Sequence, residues 1–310
     1  RPRRQYPERD RVGRPVGPGR AGADRPRSPF RKMRMDMLPR FPFVFVVPLH
    51  GDPRLLTGPW WTSWQIDPTV AVGVVGLAAA YAVLTSSARR GPERPVTAGQ
   101  RTAFFAGCFA LLLALFPPIE DWARLLLAGH MLQHLLLTML APPLLLLGTP
   151  GWLLRPVLRW SLVARAGYAL TRPLVALALS SATILVWHVP PLYEASLRSQ
   201  PVHVVQHLSF IASAVLAWWP LVGPLPEWPR PSPPLQCLYL FGLTFAGSIV
   251  GSFLTLSDAG LYPSYQDVPR MWGIELIRDQ QIAGLMMGVG ANLIYLLLTA
   301  VGLLRWADQE

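Results

Sequence analysis

The stretch LLLAGHMLQHLLLTMLAPPLLLL, residues 125–147, decides the fold. It contains no Asp, Glu, Lys or Arg, and as one helix it is long enough to cross the roughly 30 Å hydrocarbon core of a bilayer. Its apolar residues do not alternate with polar ones, which argues against a strand of a transmembrane barrel. Pro142 and Pro143 lie late in the stretch, so we expect the helix to kink or end there.

Six further apolar runs share these features, and the shorter ones gain length from uncharged flanks. Only 15% of the 310 residues are charged and 52% are hydrophobic, a composition suited to a chain surrounded mostly by lipid. We therefore predict an all-α, polytopic membrane helix bundle of about seven transmembrane helices within residues 60–310. The seven runs are residues 70–84, 103–119, 125–147, 174–189, 202–222, 235–256 and 282–304.

Residues 1–59 form an N-terminal segment rich in Arg and Pro. Its first 40 residues carry 13 basic and 4 acidic side chains, a balance of +9 out of the +11 of the whole chain. The segment has no apolar stripe with which to bury surface, so we predict that it is disordered. The high net charge belongs mainly to this segment and says little about the folded part. A basic segment can bind nucleic acid or anionic lipid, but charge alone is weak evidence for either, and we expect no nucleic-acid partner. Met33 and Met37 offer later start sites. A second interpretation is therefore that the translation start has been placed too far upstream.

Arginine placement predicts the orientation of the bundle, because basic loops stay on the cytoplasmic side of a membrane. Ten arginines fall on one side of the seven runs and four on the other. The N-terminus is therefore predicted outside and the C-terminus in the cytoplasm. The ten are Arg89, Arg90, Arg94, Arg101, Arg155, Arg159, Arg165, Arg172, Arg230 and Arg305, and the four are Arg124, Arg198, Arg270 and Arg278.

Five of the six histidines lie in or beside the apolar runs. The predicted topology brings all five to one depth near the outer leaflet. Two pairs are spaced i, i+4, which puts both rings of a pair on one face of a helix. We expect the two pairs to point inward, with the fifth histidine at the mouth of the cluster. The five are His130, His134, His188, His203 and His207.

Imidazole inside a membrane is costly to bury and is a good ligand for copper, zinc or iron. A single histidine often serves as an interhelical hydrogen-bonding group, but five at one depth predict a metal or haem site. Met131 and Met287 are possible auxiliary ligands, since thioethers favour Cu(I). Asp279 begins the last run, either as an outer partner that orients a ligand or as an anion at a helix N-terminus.

The sequence has no Gly-rich phosphate loop, no Gly-x-Ser-x-Gly and no His-Glu-x-x-His. Cys108 and Cys237 stand apart, each within an apolar run, so they indicate neither a disulfide nor a Cys-x-x-Cys metal loop. We therefore expect a protein that is not an enzyme.

Several motifs, taken in order, resemble the CtaG family of bacterial cytochrome c oxidase assembly factors of the caa3 type. The resemblance extends from about Trp61 to Trp306, and its order and spacing are more specific than any single piece. One departure is Gly288, where a Trp is expected after Met287. The motifs are His130-x-x-Gln133-His134 continuing to Gly148-Thr149-Pro150, Trp187-His188-Val189-Pro190-Pro191-Leu192-Tyr193 followed by His203 and His207, and the segment from Asp279 to Met287.

The resemblance implies a multi-pass protein of the bacterial plasma (inner) membrane that supports haem–copper oxidase maturation. It implies copper as the bound metal, handled on the outer side by the five histidines. Oxidase subunits or other assembly factors, together with the lipid bilayer, are the partners that it implies.

Three other interpretations stay open. A haem-binding electron carrier would ligate iron through histidines of two helices. A copper transporter needs a polar path below the histidines, yet the inner halves of the third, fourth and fifth runs are almost wholly apolar. A purely structural membrane scaffold would tolerate Gln or Asn in place of the histidines.

Overall fold

The computed structural model describes residues 67–86 and 93–308. Within these residues every regular element is helical, which confirms the all-α class. The disorder predicted for residues 1–59 concerns residues outside this part. The α-helices are α1 (Pro68–Leu84), α2 (Ala98–Leu115), α3 (Ile119–Leu125), α4 (Leu127–Leu135), α5 (Ala141–Gly148), α6 (Gly151–Leu158), α7 (Ser161–Leu170), α8 (Pro173–Trp187), α9 (Pro190–Arg198), α10 (Gln200–Val222), α11 (Pro233–Leu256), α12 (Leu276–Leu285) and α13 (Ala291–Ala307).

Five helical stretches are long and apolar enough to cross a membrane. A sixth arises if α7 and α8, which are bent by 75°, form one broken span, and α1 is a shorter apolar helix. The described residues therefore form a helical bundle with five candidate membrane spans, whereas the count of seven spans and their orientation stay predictions. The five stretches are Ala98–Leu125, Leu127–Gly148, Gln200–Val222, Pro233–Leu256 and Leu276–Leu304.

Most of these helices begin where the local sequence supplies a cap or a proline. Asp67 accepts a hydrogen bond from the Thr69 N–H before α1, and Thr97 forms a capping box with Gln100 before α2. Prolines occupy the first turn of α8, α9, α10 and α11, where a missing N–H costs nothing. By contrast, α4 has no local side-chain cap, and its N–H groups are satisfied from elsewhere in the bundle.

The helix that contains Pro142 and Pro143 does not end at them. A π-helical turn, Leu136–Leu140, precedes the prolines, and α5 continues the same span to Gly148. Proline has no N–H, so Pro142 cannot bond to the Thr138 carbonyl one turn earlier. The Trp218 indole N–H donates to that carbonyl at 2.8 Å instead. A side chain from α10 thus replaces the lost backbone bond and lets the span continue.

Three glycines let α11 lie directly against the last span. A Cβ atom on Gly251 would lie 2.6 Å from both the Gly284 carbonyl oxygen and the Gly288 nitrogen. Gly288 is the departure from the family pattern noted above. It faces Gly251, and a Cβ atom on Gly288 would lie 3.5 Å from the Gly251 Cα, an ordinary van der Waals contact.

The two ends of the bundle differ in charge. At the end that we call the basic end, the Arg94 guanidinium lies 5.7 Å above the Trp152 ring, and Arg155 pairs with Glu227 at 3.6 Å. At the opposite end, which we call the histidine end, the Ser264 hydroxyl donates to Glu194 at 2.6 Å. The loops that follow α1, α5 and α10 therefore meet at one end, and those around α9 and before α12 meet at the other.

Candidate metal centre

Helix α4 carries the first histidine pair. His130 and His134 are four residues apart, so both rings project from the same face of α4. Both are buried, at 0% and 5% exposure. Their Nε2 atoms are 3.0 Å apart and their ring centroids 4.4 Å apart, so the two imidazoles touch.

Helix α10 presents the second pair to the first. The His203 and His207 rings have centroids 4.1 Å apart, and both residues are buried. His203 lies 5.4 Å from His130, and His207 lies 5.5 Å from His134, again between ring centroids. The two pairs therefore point inward and face each other, as their spacing predicts.

Three of the four rings are close enough to share an ion. One ring nitrogen from each of His130, His134 and His207 lies within 4.8 Å of the other two. Around a tetrahedral ion with metal–nitrogen bonds of about 2.0 Å, ligand atoms lie about 3.3 Å apart. The three imidazoles are therefore near the separation that a shared ion requires.

His188 ends α8 and joins the cluster from a third helix. Its ring centroid lies 6.0 Å from that of His134. The residue is only 5% exposed, so the expectation that it stands at the mouth is wrong: it is an interior group. Its Nδ1 lies 2.7 Å from the Ile184 carbonyl, which can only accept, so Nδ1 carries the proton. Its Nε2 is then a buried lone pair, and it has no hydrogen-bond partner among the described residues.

Tyr265, in the loop before α12, fixes the tautomer of His130. The Tyr265 hydroxyl donates its single proton to the Ala123 carbonyl at 3.1 Å. It lies 3.1 Å from His130 Nδ1, and when its proton is donated to Ala123 it accepts there, an assignment that places a proton on His130 Nδ1. Burial raises the pKa of Tyr265 well above its ordinary value, so the hydroxyl keeps its proton near neutral pH.

The same logic extends from His130 to His134. With its proton on Nδ1, His130 presents a lone pair at Nε2 to His134 Nε2, which therefore donates. His134 Nδ1 is then a lone pair as well, buried and without a hydrogen-bond partner among the described residues. A chain of contacts that begins at Ala123 thus ends in an imidazole lone pair inside the bundle.

Asp279 supports the site through the backbone. Its carboxylate oxygens accept from the N–H groups of Leu127 at 2.7 Å and Ala128 at 2.9 Å, the first turn of α4. Of the two roles left open by the sequence, the geometry is that of the helix N-terminal anion. Both oxygens are engaged there, and Asp279 is not among the described residues with the closest ligand atoms, so a role as a direct ligand stays a prediction.

Gln133 ties α4 to the neighbouring helices. Its amide donates to the Ala114 carbonyl at 2.9 Å and to the Glu120 carboxylate. Glu120 also pairs with Arg124 at 3.2 Å. Gly129 permits this close approach, because a Cβ there would lie 2.5 Å from the backbone of Trp122. The face of α4 next to the histidines is thereby held in place.

The auxiliary methionines lie on the other side of His134. Met131 is fully buried, and Met287 lies in the π-helical turn Met286–Gly290 at 8% exposure. Both line a cavity that His134 and His188 also line. Neither Met131 nor Met287 is among the three residues with the closest ring nitrogens.

Sequence reasoning missed the tyrosines that surround the histidines. Tyr193 stacks on Tyr262 at 4.1 Å and lies 5.4 Å from the His130 ring, and the Tyr262 hydroxyl donates to the His188 carbonyl at 3.0 Å. Tyr262 and Tyr265 come from a loop without apolar periodicity, so no helical pattern points to them. The available signal was local: three tyrosines in short segments that adjoin the predicted outer ends of spans.

The arrangement fits a metal that accepts neutral nitrogen ligands. The ligand atoms are imidazole nitrogens on three helices, and two of them, His134 Nδ1 and His188 Nε2, are buried acceptors without hydrogen bonds. A buried polar atom without a partner is costly, and a bound cation removes that cost. Borderline and soft ions such as copper and zinc prefer these donors over hard ions such as magnesium. Metal binding itself stays a prediction.

Comparison with known proteins links the chain to a family. A family model described as cytochrome c oxidase caa3 assembly factor matches residues 79–309. That range includes all five clustered histidines and every helix from α2 onward.

Comparison with curated proteins finds mycobacterial relatives. Uncharacterized proteins of Mycobacterium bovis and Mycobacterium tuberculosis are each 27% identical over 270 residues, covering 80% of this chain and 40% of theirs. A Mycobacterium leprae protein, also uncharacterized, is 24% identical over 272 residues, covering 81% of this chain and 40% of its own. The chain thus spans about 40% of the length of these relatives. No solved structure matches.

Proposed function

The chain belongs to the cytochrome c oxidase caa3 assembly factor family, and we propose that it supports oxidase maturation by holding copper at its histidine cluster. In this proposal copper is cargo, bound and passed on, and the protein is a carrier without catalytic chemistry. The partners are oxidase subunits or other assembly factors in the same membrane.

One observation carries the proposal: the buried ring nitrogens of His130, His134 and His207 lie within 4.8 Å of one another. Ionisable groups inside a membrane bundle are rare and generally functional. Here five imidazoles from three helices meet, and the Nδ1 atoms of two of them, His130 and His188, are contacted by Tyr265 and by the Ile184 carbonyl. Such outer contacts orient ligating imidazoles and raise their affinity for metal.

The location of the site follows from the predicted topology. With seven spans and the N-terminus outside, the histidine end of the bundle faces the outer side of the bacterial plasma membrane. Copper held at that depth lies where oxidase subunits in the same bilayer can receive it.

The contacts between the rings favour copper over haem. Axial ligation of haem requires two imidazoles on opposite sides of a flat macrocycle. His130 and His134 are instead in direct contact at 3.0 Å, and the tilted rings of His203 and His207 lie 4.1 Å apart between centroids. Within each pair, therefore, the two rings are too close together to lie on opposite sides of a macrocycle.

The test is a His130→Ala/His134→Ala double variant in cells that grow with limiting copper. We expect the double variant to reproduce deletion of the gene: oxidase subunits are made, but haem–copper oxidase activity falls. Added copper should partly restore activity by mass action. In purified protein, copper per chain should fall from about one towards zero, measured by elemental analysis.

The matched control is His50→Ala, the same substitution at the sixth histidine, which lies outside the predicted spans. This variant should retain copper and oxidase activity. Normal membrane insertion of the double variant together with wild-type oxidase activity under copper limitation would refute the proposal. A Soret band with one iron per chain and no copper would replace it with the haem interpretation.

A further inference from the structure

A cavity lies directly beneath the histidine cluster, within the middle of the bundle. It has a volume of about 70 Å³ and begins at His134 and His188. It continues past Thr138 and Ser180 and ends against Trp218 and Tyr295, whose rings are 6.0 Å apart. The sequence predicted no polar path below the histidines, but the few hydroxyl groups of those inner helix halves face this one cavity.

Three acceptor atoms of the lining residues have no hydrogen-bond partner among the described residues. Two are the lone pairs derived above, His134 Nδ1 and His188 Nε2. The third is Asn292 Oδ1, whose amide orientation is set because its Nδ2 donates to the Gly288 carbonyl at 2.5 Å and contacts Ser248 Oγ at 2.7 Å. All three are buried acceptors, so the cavity suits an occupant that accepts electron pairs or donates hydrogen bonds.

The same cavity is lined by three methionines. Met139 lies in the first π-helical turn, Met287 in the second, and Met131 faces it from α4. π-Helical turns are frequent at functional sites because they shift side chains relative to a regular α-helix. Here both turns contribute a thioether to one space.

The lack of charge in the cavity lining determines which cations the cavity favours. No lining residue among those described carries a formal charge. The cost of burying an ion rises with the square of its charge, so a monovalent cation is far less costly here than a divalent one. Neutral imidazole and thioether donors together favour Cu(I) over Zn²⁺ and Mg²⁺.

We propose that this cavity is a second, deeper binding position for Cu(I), with His134 and His188 as nitrogen donors and Met131 and Met287 as thioether donors. The inference rests on the proposed copper function and adds an oxidation state and a second position. His134 is common to both positions, and because a neutral imidazole has one lone pair it binds an ion at one position at a time: through Nδ1 in the cavity, or through Nε2 beside His130 once its proton has moved to Nδ1. The ion enters and leaves as Cu(I), so no electron transfer is required.

The ring geometry is compatible with this assignment. Two imidazoles on opposite sides of one ion, each with a metal–nitrogen bond of about 2.0 Å, have centroids roughly 6 Å apart. The His134 and His188 centroids are 6.0 Å apart. Cu(I) has a filled d shell and therefore imposes no fixed geometry on its ligands. It accepts a linear pair of nitrogens with one or two weaker thioethers.

The experiment is copper X-ray absorption on the purified full-length protein, loaded with Cu(I) without oxygen. We expect copper–sulfur scattering in the wild type and its loss in a Met131→Leu/Met287→Leu double variant. Cu(I) affinity, measured by competition with a coloured chelator, should fall about tenfold or more, as for contacts that tune metal sites. Met→Leu conserves volume, so the variant should still fold.

The matched control is Met286→Leu, one residue away in the same π-helical turn but outside the cavity lining. It should leave scattering and affinity unchanged. Ag(I), a second soft monovalent probe, should bind with the same dependence on Met287. If copper is bound through nitrogen alone and the double variant behaves as the wild type does, the second position is refuted, whereas the proposed histidine site is not. Absence of any copper binding by the wild type would overturn both.

Discussion

Asp279, in the first turn of the last span, accepts a hydrogen bond at 2.7 Å from the backbone N–H of Leu127, which begins the helix that carries His130 and His134. The two residues are 152 positions apart in the chain. A helix N-terminus carries a partial positive charge and unsatisfied N–H groups, and a carboxylate satisfies both. The start of α4, and with it the depth of the histidine pair, is therefore set by the last span.

Asp279→Ala should destabilise the bundle and weaken copper binding together. Loss of a helix cap costs about 0.5–2 kcal/mol, and this one is fully buried, so we expect the upper part of that range. Thermal unfolding in detergent and Cu(I) competition measure the two effects.

The matched control for this cap is Asp67→Ala. Asp67 caps α1 through the Thr69 N–H at an exposed position, where water can replace the lost acceptor. Its loss should shift the unfolding midpoint less and leave Cu(I) affinity unchanged. Equal effects of the two substitutions on Cu(I) affinity would show that the Asp279 contact does not position the histidines.

Tyr265→Phe should lower metal affinity without loss of the fold. The substitution removes the acceptor for the His130 Nδ1 proton, so the tautomer that presents Nε2 is no longer favoured. Removal of such an outer contact typically costs about 10–100-fold in metal affinity. Nitrogen NMR of labelled histidine reports the tautomer directly, a readout that a merely structural role of Tyr265 would not change.

Tyr262→Phe is the control for this prediction, because its hydroxyl donates to a backbone carbonyl, that of His188, and touches no imidazole nitrogen. It should leave the His130 signal in place. An unchanged His130 tautomer in Tyr265→Phe would contradict the assignment.

Gly251→Ala should disturb the packing of α11 against the last span. The new methyl group would meet backbone atoms of Gly284 and Gly288 at 2.6 Å, and backbone cannot rotate away as a side chain can. Overpacking of this kind costs about 1–3 kcal/mol. Gly290→Ala is the control, since a Cβ there meets nothing within 4 Å. A Gly251→Ala protein as stable as wild type in detergent unfolding would show that the two helices separate at little cost.

How much of this structure follows from the sequence depends on how local each pattern is. Helical spans follow because each is a contiguous apolar run, and the inward histidine pairs follow from their i, i+4 spacing. The Tyr265–His130 contact and the Asp279 cap do not follow, because they join segments more than a hundred residues apart. The course of the chain through Pro142 does not follow either, because it depends on Trp218 from another helix.

The cavity illustrates the same limit. Thr138, Ser180 and Asn292 are isolated polar residues in apolar runs, and each alone is ordinary in a membrane helix. Only the packing of separate spans shows that they share one space with His134. The position of His188 was misjudged for a related reason: it lies at a helix end, but α9 and the loop that contains Tyr262 cover it.

The contacts at the two ends of the bundle bear on its orientation. The connection before α2 and the helix α6 meet at the basic end, where the Trp152 indole N–H donates to the Pro95 carbonyl at 3.4 Å. Two of the ten arginines counted from the sequence, Arg94 and Arg155, make contacts at this end. Among the described residues, the two basic connections that carry them therefore share one end of the bundle.

Reporter fusions test which of these faces lies in the cytoplasm. Fusions after Arg94 and after Arg165 should both report cytoplasm, because loops rich in arginine resist transfer across the membrane. A fusion after Arg198, at the histidine end, should report the outer side and serves as the internal control. These three results would place the cluster within reach of the compartment where the proposed copper transfer occurs. An outside signal after Arg94 or Arg165 would invert the bundle, place the histidines near the cytoplasmic face and contradict copper handling on the outer side.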